Sequence, residues 1–203
     1  SKYNSLLNSK VKSKSVLKNK GSVLNSAAKT YKIDPVYFLC QTILETGYGT
    51  STLSQGKSIT KVITGKSVVR DKKGNVTGFQ KVNGKYQTKK ISSKKVYNLY
   101  GIKAYDSDPQ LCGFSYAYYQ VWTSVDKAIK GAAKYVSQEY INNSTYKQNT
   151  LYKFRYNPNT KYIWHQYATD PGYAQKIGKL MYSQFRSAYA TGNTLTFDRP
   201  KFK

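Results

Sequence analysis

Glu45 follows the apolar run "VYFLCQTIL" and precedes "TGYGTSTL", so it stands where a buried helix would open towards solvent. It is one of nine acidic residues set against 34 basic ones, which lets each acid be weighed in turn. Asp34, Asp108 and Asp170 each precede proline, and an Asp-Pro pair is a helix start: the carboxylate caps free N–H groups and proline fits the first turn. Asp126 falls in the first turn of an amphipathic segment, where the helix dipole favours a negative charge. Asp106 adjoins a helix start, Asp71 lies in a lysine-rich turn, Glu139 lies late on a solvated helix face, and Asp198 lies in a basic tail. Glu45 alone has no local structural duty.

A carboxyl half-buried at an apolar helix end has its charged form disfavoured, both by burial and by the carbonyl end of the dipole. Such a group stays protonated near neutral pH and can protonate a leaving oxygen, as a glycosidase acid must. The plainer reading, a solvated last-turn glutamate, stands beside it at this point.

His165 is the single histidine. It cannot build a histidine-rich zinc site, but it could pair with Cys40 as nucleophile and base. Against that pair, Cys40 sits inside an apolar helix rather than at an N-terminus that would lower its pKa. A small buried hydrophobe is the better reading of Cys40, and a bond between Cys40 and Cys112 stays open. Two cysteines without CxxC spacing argue against a structural zinc site, and neither a metal nor a cofactor is expected. "GYG" at 47–49 is too short for a phosphate-cradling loop. Tyrosines concentrate in "GFSYAYYQVW" and "KYIWHQYATD". Most belong to a core, and some could line a groove for a sugar chain or for single-stranded nucleic acid.

The elements that must position these groups follow from pattern. Residues 1–20 are rich in Lys, Ser and Asn and read as an exposed basic arm with one or two short helical turns. A helix follows with Val23, Leu24, Ala27, Ala28 and Tyr31 on one face and Ser22 as its cap. Asp34-Pro35 opens a second, which Gly47 stops. From 57 to 96, Lys and Thr alternate with Val, Ile, Phe and Tyr. With turns at "KKGN" and "VNGK", this reads as an inserted basic β-lobe of two or three strands. Helices resume at Asp108-Pro109, Ser124 and Asp170-Pro171, the last with Tyr173, Ile177, Leu180, Met181, Phe185 and Ala188 inward, before a basic tail at 191–203.

Composition sets the class. Aromatics at 15% and a length of 203 residues suit one packed domain over 1–203, with a subordinate lobe, rather than a disordered chain. A net charge of +25 calls for an anionic partner, and charge alone does not choose between nucleic acid, lipid and wall polymer. No apolar run is long enough to span a bilayer. The start at Ser1 reads as an excised or processed domain.

Five blocks occur in order: "ETGYGTSTL", "VYNLYGIKAYDSDP", "SVDKAIKGAAKYVSQEYI" after Trp122, "YKQNTLYKFRYNP" and "HQYATDPGYAQKI". Together they resemble the glucosaminidase domains of clostridial and staphylococcal autolysins, family-73 glycoside hydrolases, with the β-lobe the least alike. The resemblance implies a mainly α-helical, lysozyme-like α+β fold with a small β-hairpin lobe and a substrate groove. It implies hydrolysis of the β-1,4 bond after N-acetylglucosamine in peptidoglycan. The family's acid falls on Glu45. Its "NLFGI" block falls on Asn98, Leu99, Tyr100, Gly101 and Ile102, with tyrosine for phenylalanine. Its "QYATD" block falls on Gln166, Tyr167, Ala168, Thr169 and Asp170, with Tyr167 beside the acid as a second catalytic residue that orients the acetamido group or a water.

Asn98, Tyr100, Gly101, Gln166 and Thr169 are accordingly expected to contact the sugar. A second carboxylate is missing between residues 46 and 105 unless Asp71 reaches the groove; otherwise the substrate's 2-acetamido group would act as nucleophile. The implied setting is a secreted monomer on a Gram-positive wall, with glycan strands and anionic wall polymers as partners and no nucleic acid. The rival readings are a Cys40–His165 wall peptidase and a non-catalytic basic binding module.

Overall fold

A computed structural model describes residues 2–189 and Lys201; most of the expected tail at 191–203 lies outside the described residues. The fold is α+β and mainly helical. Helices α1 (Lys2–Asn8), α2 (Gly21–Thr30) and α3 (Pro35–Glu45) precede strands β1 (Lys57–Ile63), β2 (Val68–Arg70), β3 (Val76–Phe79) and β4 (Thr88–Val96). Helices α4 (Pro109–Tyr119), α5 (Val125–Val136), α6 (Leu151–Arg155) and α7 (Tyr173–Leu180) follow.

Helix α3 is the centre. Every residue from Val36 to Ile43 is buried, so this helix presents no solvated face, as befits one enclosed by its neighbours. Full burial of Phe38, Leu39 and Ile43 stabilises the fold by roughly 1.5–3 kcal/mol each. Its start is the one expected: the Asp34 carboxylate accepts from Tyr37 N at 2.8 Å, with Pro35 in the first turn. Asp108 and Ser124 cap α4 and α5 in the same way. Helix α2 packs on α3 and α5, and α7 packs on α3 and α6.

The N-terminal segment is not an exposed arm. Leu7, Val11 and Leu17 are buried in the core. Asn4 Oδ1 accepts from Gly21 N at 2.9 Å, so α1 supplies the cap of α2 that the sequence pattern assigned to Ser22. Three apolar anchors outweigh the polar composition of the stretch, since a few buried side chains and shared caps are enough to dock a short helix.

The β-lobe has four strands rather than two or three. They form two separate antiparallel pairs, β1 with β4 and β2 with β3, each with a register shift. The expected turns are present between β2 and β3 and at Val82–Lys85. The lobe is fastened to α4: Ile63 N donates to Ser115 Oγ at 2.9 Å, and Tyr119 Oη donates to Ile63 O at 2.6 Å. Cys40 and Cys112 are both buried and free, so no disulfide joins them. Among the described residues no helix is long and apolar enough to cross a membrane.

Candidate active site

Glu45 is the last residue of α3, and the chain leaves the helix through a tight turn made by Thr46. Thr46 Oγ1 donates to Thr42 O at 2.6 Å and accepts from Gly49 N at 2.8 Å. Gly49 has φ +77°, and a Cβ there would overlap Ser15 Oγ and Leu17 of the N-terminal segment. Two requirements therefore meet at Gly49, a left-handed backbone and a close approach. The "GYG" stretch is a helix exit clamped from outside.

Glu45 faces a cavity of about 480 Å³, of a size suited to a few sugar units. Its walls come from distant parts of the chain. Leu44 and Glu45 come from the last turn of α3, and Tyr100, Gly101, Ile102 and Lys103 from the loop before α4. Tyr135 comes from α5, and Tyr140 from the widened π-helical turn that continues it at Ser137–Ile141. Tyr167, Ala168, Thr169 and Asp170 come from the loop before α7, which itself contributes Tyr173 and Lys176.

Burial pushes the Glu45 pKa from 4.5 up to about 7, and the Tyr167 hydroxyl, which reaches the carboxyl, pulls more weakly the other way. Tyr167 is in turn held protonated by burial and by the Glu45 charge. Its ring packs on Phe154 at 4.4 Å and on Tyr140 at 5.3 Å, which fixes where its hydroxyl can point. One turn before Glu45, the fully buried Gln41 amide lies beside the Tyr167 and Tyr173 hydroxyls without a well-formed hydrogen bond to either. Tyr100 stacks on Phe38 at 5.9 Å, and its hydroxyl lies 2.6 Å from Thr42 Oγ1. That contact gives the hydroxyl of this tyrosine a partner where the family block has phenylalanine.

Of the residues expected at the site, Glu45, Tyr100, Gly101, Tyr167 and Thr169 meet at this cavity. Two do not. Asn98 is fully buried behind the wall. Its amide donates to Ile102 O and Gly113 O, both at 2.9 Å, and accepts from Ile102 N at 3.0 Å. Both amide hydrogens and one lone pair of its oxygen are committed to Ile102 and Gly113, so this buried side chain shapes the wall from behind. Gln166 is outside the lining and accepts from Arg155 Nη1 at 2.6 Å. Arg155 also donates to the carbonyls of Thr169 and Asp170. The Arg155–Gln166 pair therefore braces the loop that presents Tyr167.

Asp71 is a turn residue. Its carboxylate accepts from Lys73 N, Asn75 N and Asn75 Nδ2 at 2.8–2.9 Å, which holds its pKa below the usual range. It lines no part of the cavity, nor does any other residue of the β-lobe. Asp170 does line it, a placement that its Asp-Pro setting concealed. Instead of capping α7, whose first residue is Tyr173, it accepts from Gly172 N at 2.9 Å and pairs with Lys176 at 2.6 Å. Those contacts hold its pKa down.

The Cys–His pairing has no footing. Cys40 is fully buried within α3 and its thiol is pushed up to about 12, chiefly by desolvation. His165 stacks on Tyr146 at 3.6 Å and bonds Gln148 Oε1 through Nδ1 at 2.6 Å, the arrangement of a structural histidine. Among the described residues no three His, Cys, Asp or Glu side chains converge as a metal site would need.

Lys103, Tyr135, Tyr140 and Tyr173 were not singled out from the sequence as site residues. Lys103 directly follows the "NLYGI" block, a signal that could have found it. Tyr173 falls on the inward face of the last helix, where its spacing is that of a core position.

Comparison with known proteins places the geometry in context. The family described as Glucosaminidase, mannosyl-glycoprotein endo-beta-N-acetylglucosaminidase, matches over residues 21–185. A Bacillus subtilis beta-N-acetylglucosaminidase is 36% identical over 190 residues, covering 94% of this chain and 17% of its own length. The Staphylococcus aureus bifunctional autolysin is 36% identical over 197 residues, covering 97% of this chain and 13% of its own. The chain thus spans less than a fifth of either relative. Among solved structures, S. aureus autolysin E aligns with a TM-score of 0.62 and 33% identity, over 92% of this chain and 65% of that one. A catalytic mutant of autolysin E in complex with the disaccharide NAG-NAM aligns with a TM-score of 0.61 and 32% identity, over 91% of this chain and 67% of that one.

Proposed function

Because the chain belongs to the glucosaminidase family of glycoside hydrolases, we propose that it cleaves the β-1,4 bond after N-acetylglucosamine in peptidoglycan, with Glu45 as general acid. One observation carries the assignment: a carboxyl raised to about 7 by burial, in the lining of a sugar-sized cavity and within reach of a phenol. Protonated Glu45 gives its proton to the glycosidic oxygen as the C1–O bond breaks. The carbonyl oxygen of the substrate's own 2-acetamido group closes onto C1 in place of a protein nucleophile. Water then attacks C1 and reopens that ring, giving its proton to the Glu45 carboxylate. Tyr167 orients the carboxyl, while Tyr100, Gly101 and Thr169 border the sugar.

The engagement of Asp71 in its turn supports the substrate-assisted route. Asp71→Asn is expected to keep wall-lytic activity within about threefold of wild type, since asparagine can still accept in the turn. A loss as deep as that of Glu45→Gln would restore a two-carboxylate scheme.

With the substrate read as a wall glycan, a charge of +25 fits a secreted protein that concentrates on the anionic polymers of a Gram-positive wall, with binding that weakens as salt rises. Bond choice is tested by digesting purified wall, reducing with borohydride and identifying the sugar alcohols by mass spectrometry. Glucosaminitol is expected; muramitol would make the protein a muramidase, and new amino groups without reducing ends would make it a peptidase.

A further inference from the structure

The charged groups of the cavity wall do not balance. Four of its lining residues can carry charge: Glu45, Lys103, Asp170 and Lys176. Asp170 and Lys176 neutralise each other at 2.6 Å, and Glu45 must be protonated to act as an acid. Lys103 is then the unmatched charge of the lining, and the hydroxyls and acetamido groups of N-acetylglucosamine offer it no countercharge.

Two further features of its setting bear on this. Its backbone has φ +59°, a left-handed conformation that costs a residue with a Cβ and recurs at ligand-binding positions. Its ammonium is half-buried and lies 5.6 Å from the Tyr135 ring centroid, while no carboxylate among the described residues stands within ion-pair distance. Burial accordingly pushes its pKa down and the Glu139 charge pushes back. Glu139 is exposed, and His165, which also senses the Lys103 charge, is itself shifted towards neutrality. A partly dehydrated cation held in a strained turn is stabilised when a ligand brings an anion to it.

We propose that Lys103 is a specificity residue that recognises a carboxylate carried by the glycan, and so favours muramic-acid-containing strands over neutral chains of N-acetylglucosamine. The proposal rests on the glycan-cleaving reading of this cavity and extends it. The carboxylate has two sources in such a strand: the lactyl group of a muramic acid that has lost its peptide, or the free carboxylates of an attached stem peptide. In the latter the lactyl carboxyl is tied up as an amide.

The test measures binding without turnover. Three oligosaccharides of equal length are titrated into Glu45→Gln and into Glu45→Gln carrying Lys103→Met. They are a neutral N-acetylglucosamine oligomer, a peptide-free alternating strand with N-acetylmuramic acid, and that strand bearing stem peptides. Methionine keeps the unbranched stem without the ammonium and has the same difficulty as lysine with a positive φ, so the backbone is not relieved.

The preference for one charged strand over the neutral one is expected to fall about tenfold with Lys103→Met. Lys103→Arg should retain most of it. The strand whose preference falls identifies the source of the carboxylate. Unchanged preferences, or equal weakening of all three ligands, would overturn the role of Lys103 while leaving the glycan site standing. If Glu45→Gln binds none of the three, the glycan-site reading falls and the proposal falls with it.

Discussion

Glu45→Gln is expected to lower the rate of wall lysis by about a thousandfold or more while leaving the fold intact. The expected loss follows from the role proposed for this side chain. A general acid in a positioned site contributes on the order of 10²–10⁴ in rate, and an amide has no proton of usable acidity to give. Glutamine keeps the length, planarity and hydrogen-bonding reach towards Tyr167, so a large loss would report on the proton rather than on packing. Glu45 lines the cavity as the last residue of a helix anchored by eight buried residues, Val36 to Ile43, so the substitution leaves α3 unaltered. The measurement is the clearing of a purified wall suspension, with circular dichroism to check the fold. Clearing at the wild-type rate would remove Glu45 from the mechanism.

The same substitution is expected to stabilise the protein at alkaline pH by about 2–3 kcal/mol and to do so hardly at all in acid. The sign follows from the direction of the shift. The carboxyl titrates near 7 when folded, against 4.5 as its ordinary value. Below about 4.5 both states hold the proton and Glu45 contributes no pH dependence. Between the two values the native state binds a proton that the unfolded state has released, so stability falls as pH rises through that window. Above about 7 the full penalty of a half-buried charge is present, worth about 1.4 kcal/mol per pKa unit before allowance for partial exposure. Glutamine carries no such penalty. Urea denaturation of both proteins at pH 4 and pH 8 would show it as a difference that grows with pH. A difference independent of pH would mean that burial does not set the Glu45 protonation state. A side chain that costs stability in this way is what an acid tuned for catalysis would look like, since the burial that raises its pKa also burdens the fold.

The local signals in the chain were legible because they obey local physics. Asp-Pro pairs, the Ser124 cap and the run from Val36 to Leu44 depend on hydrogen bonds and spacings a few residues long, and α3, α4 and α5 begin where those signals lie. Asp170-Pro171 carried the same signal and misled. Lys176 and Gly172 N compete for its carboxylate, and α7 starts later at Tyr173. The N-terminal segment misled for the opposite reason, because its polar composition hid the buried Leu7, Val11 and Leu17.

Sequence by itself determined that Glu45 ends a buried helix and that ordered blocks mark the glucosaminidase family. Only the tertiary structure decided which polar residues face the cavity. Asn98 and Tyr100 are two positions apart in one block, yet Asn98 turns inward to hold the Gly113 carbonyl while Tyr100 borders the cavity. Asp71 is consumed by its own turn, and Lys103, never weighed for chemistry, faces the site. The reason is physical: a cavity is a surface shared by segments far apart in sequence. Whether a polar side chain lines it depends on which partners the fold brings within hydrogen-bonding distance, and no spacing within one segment encodes that.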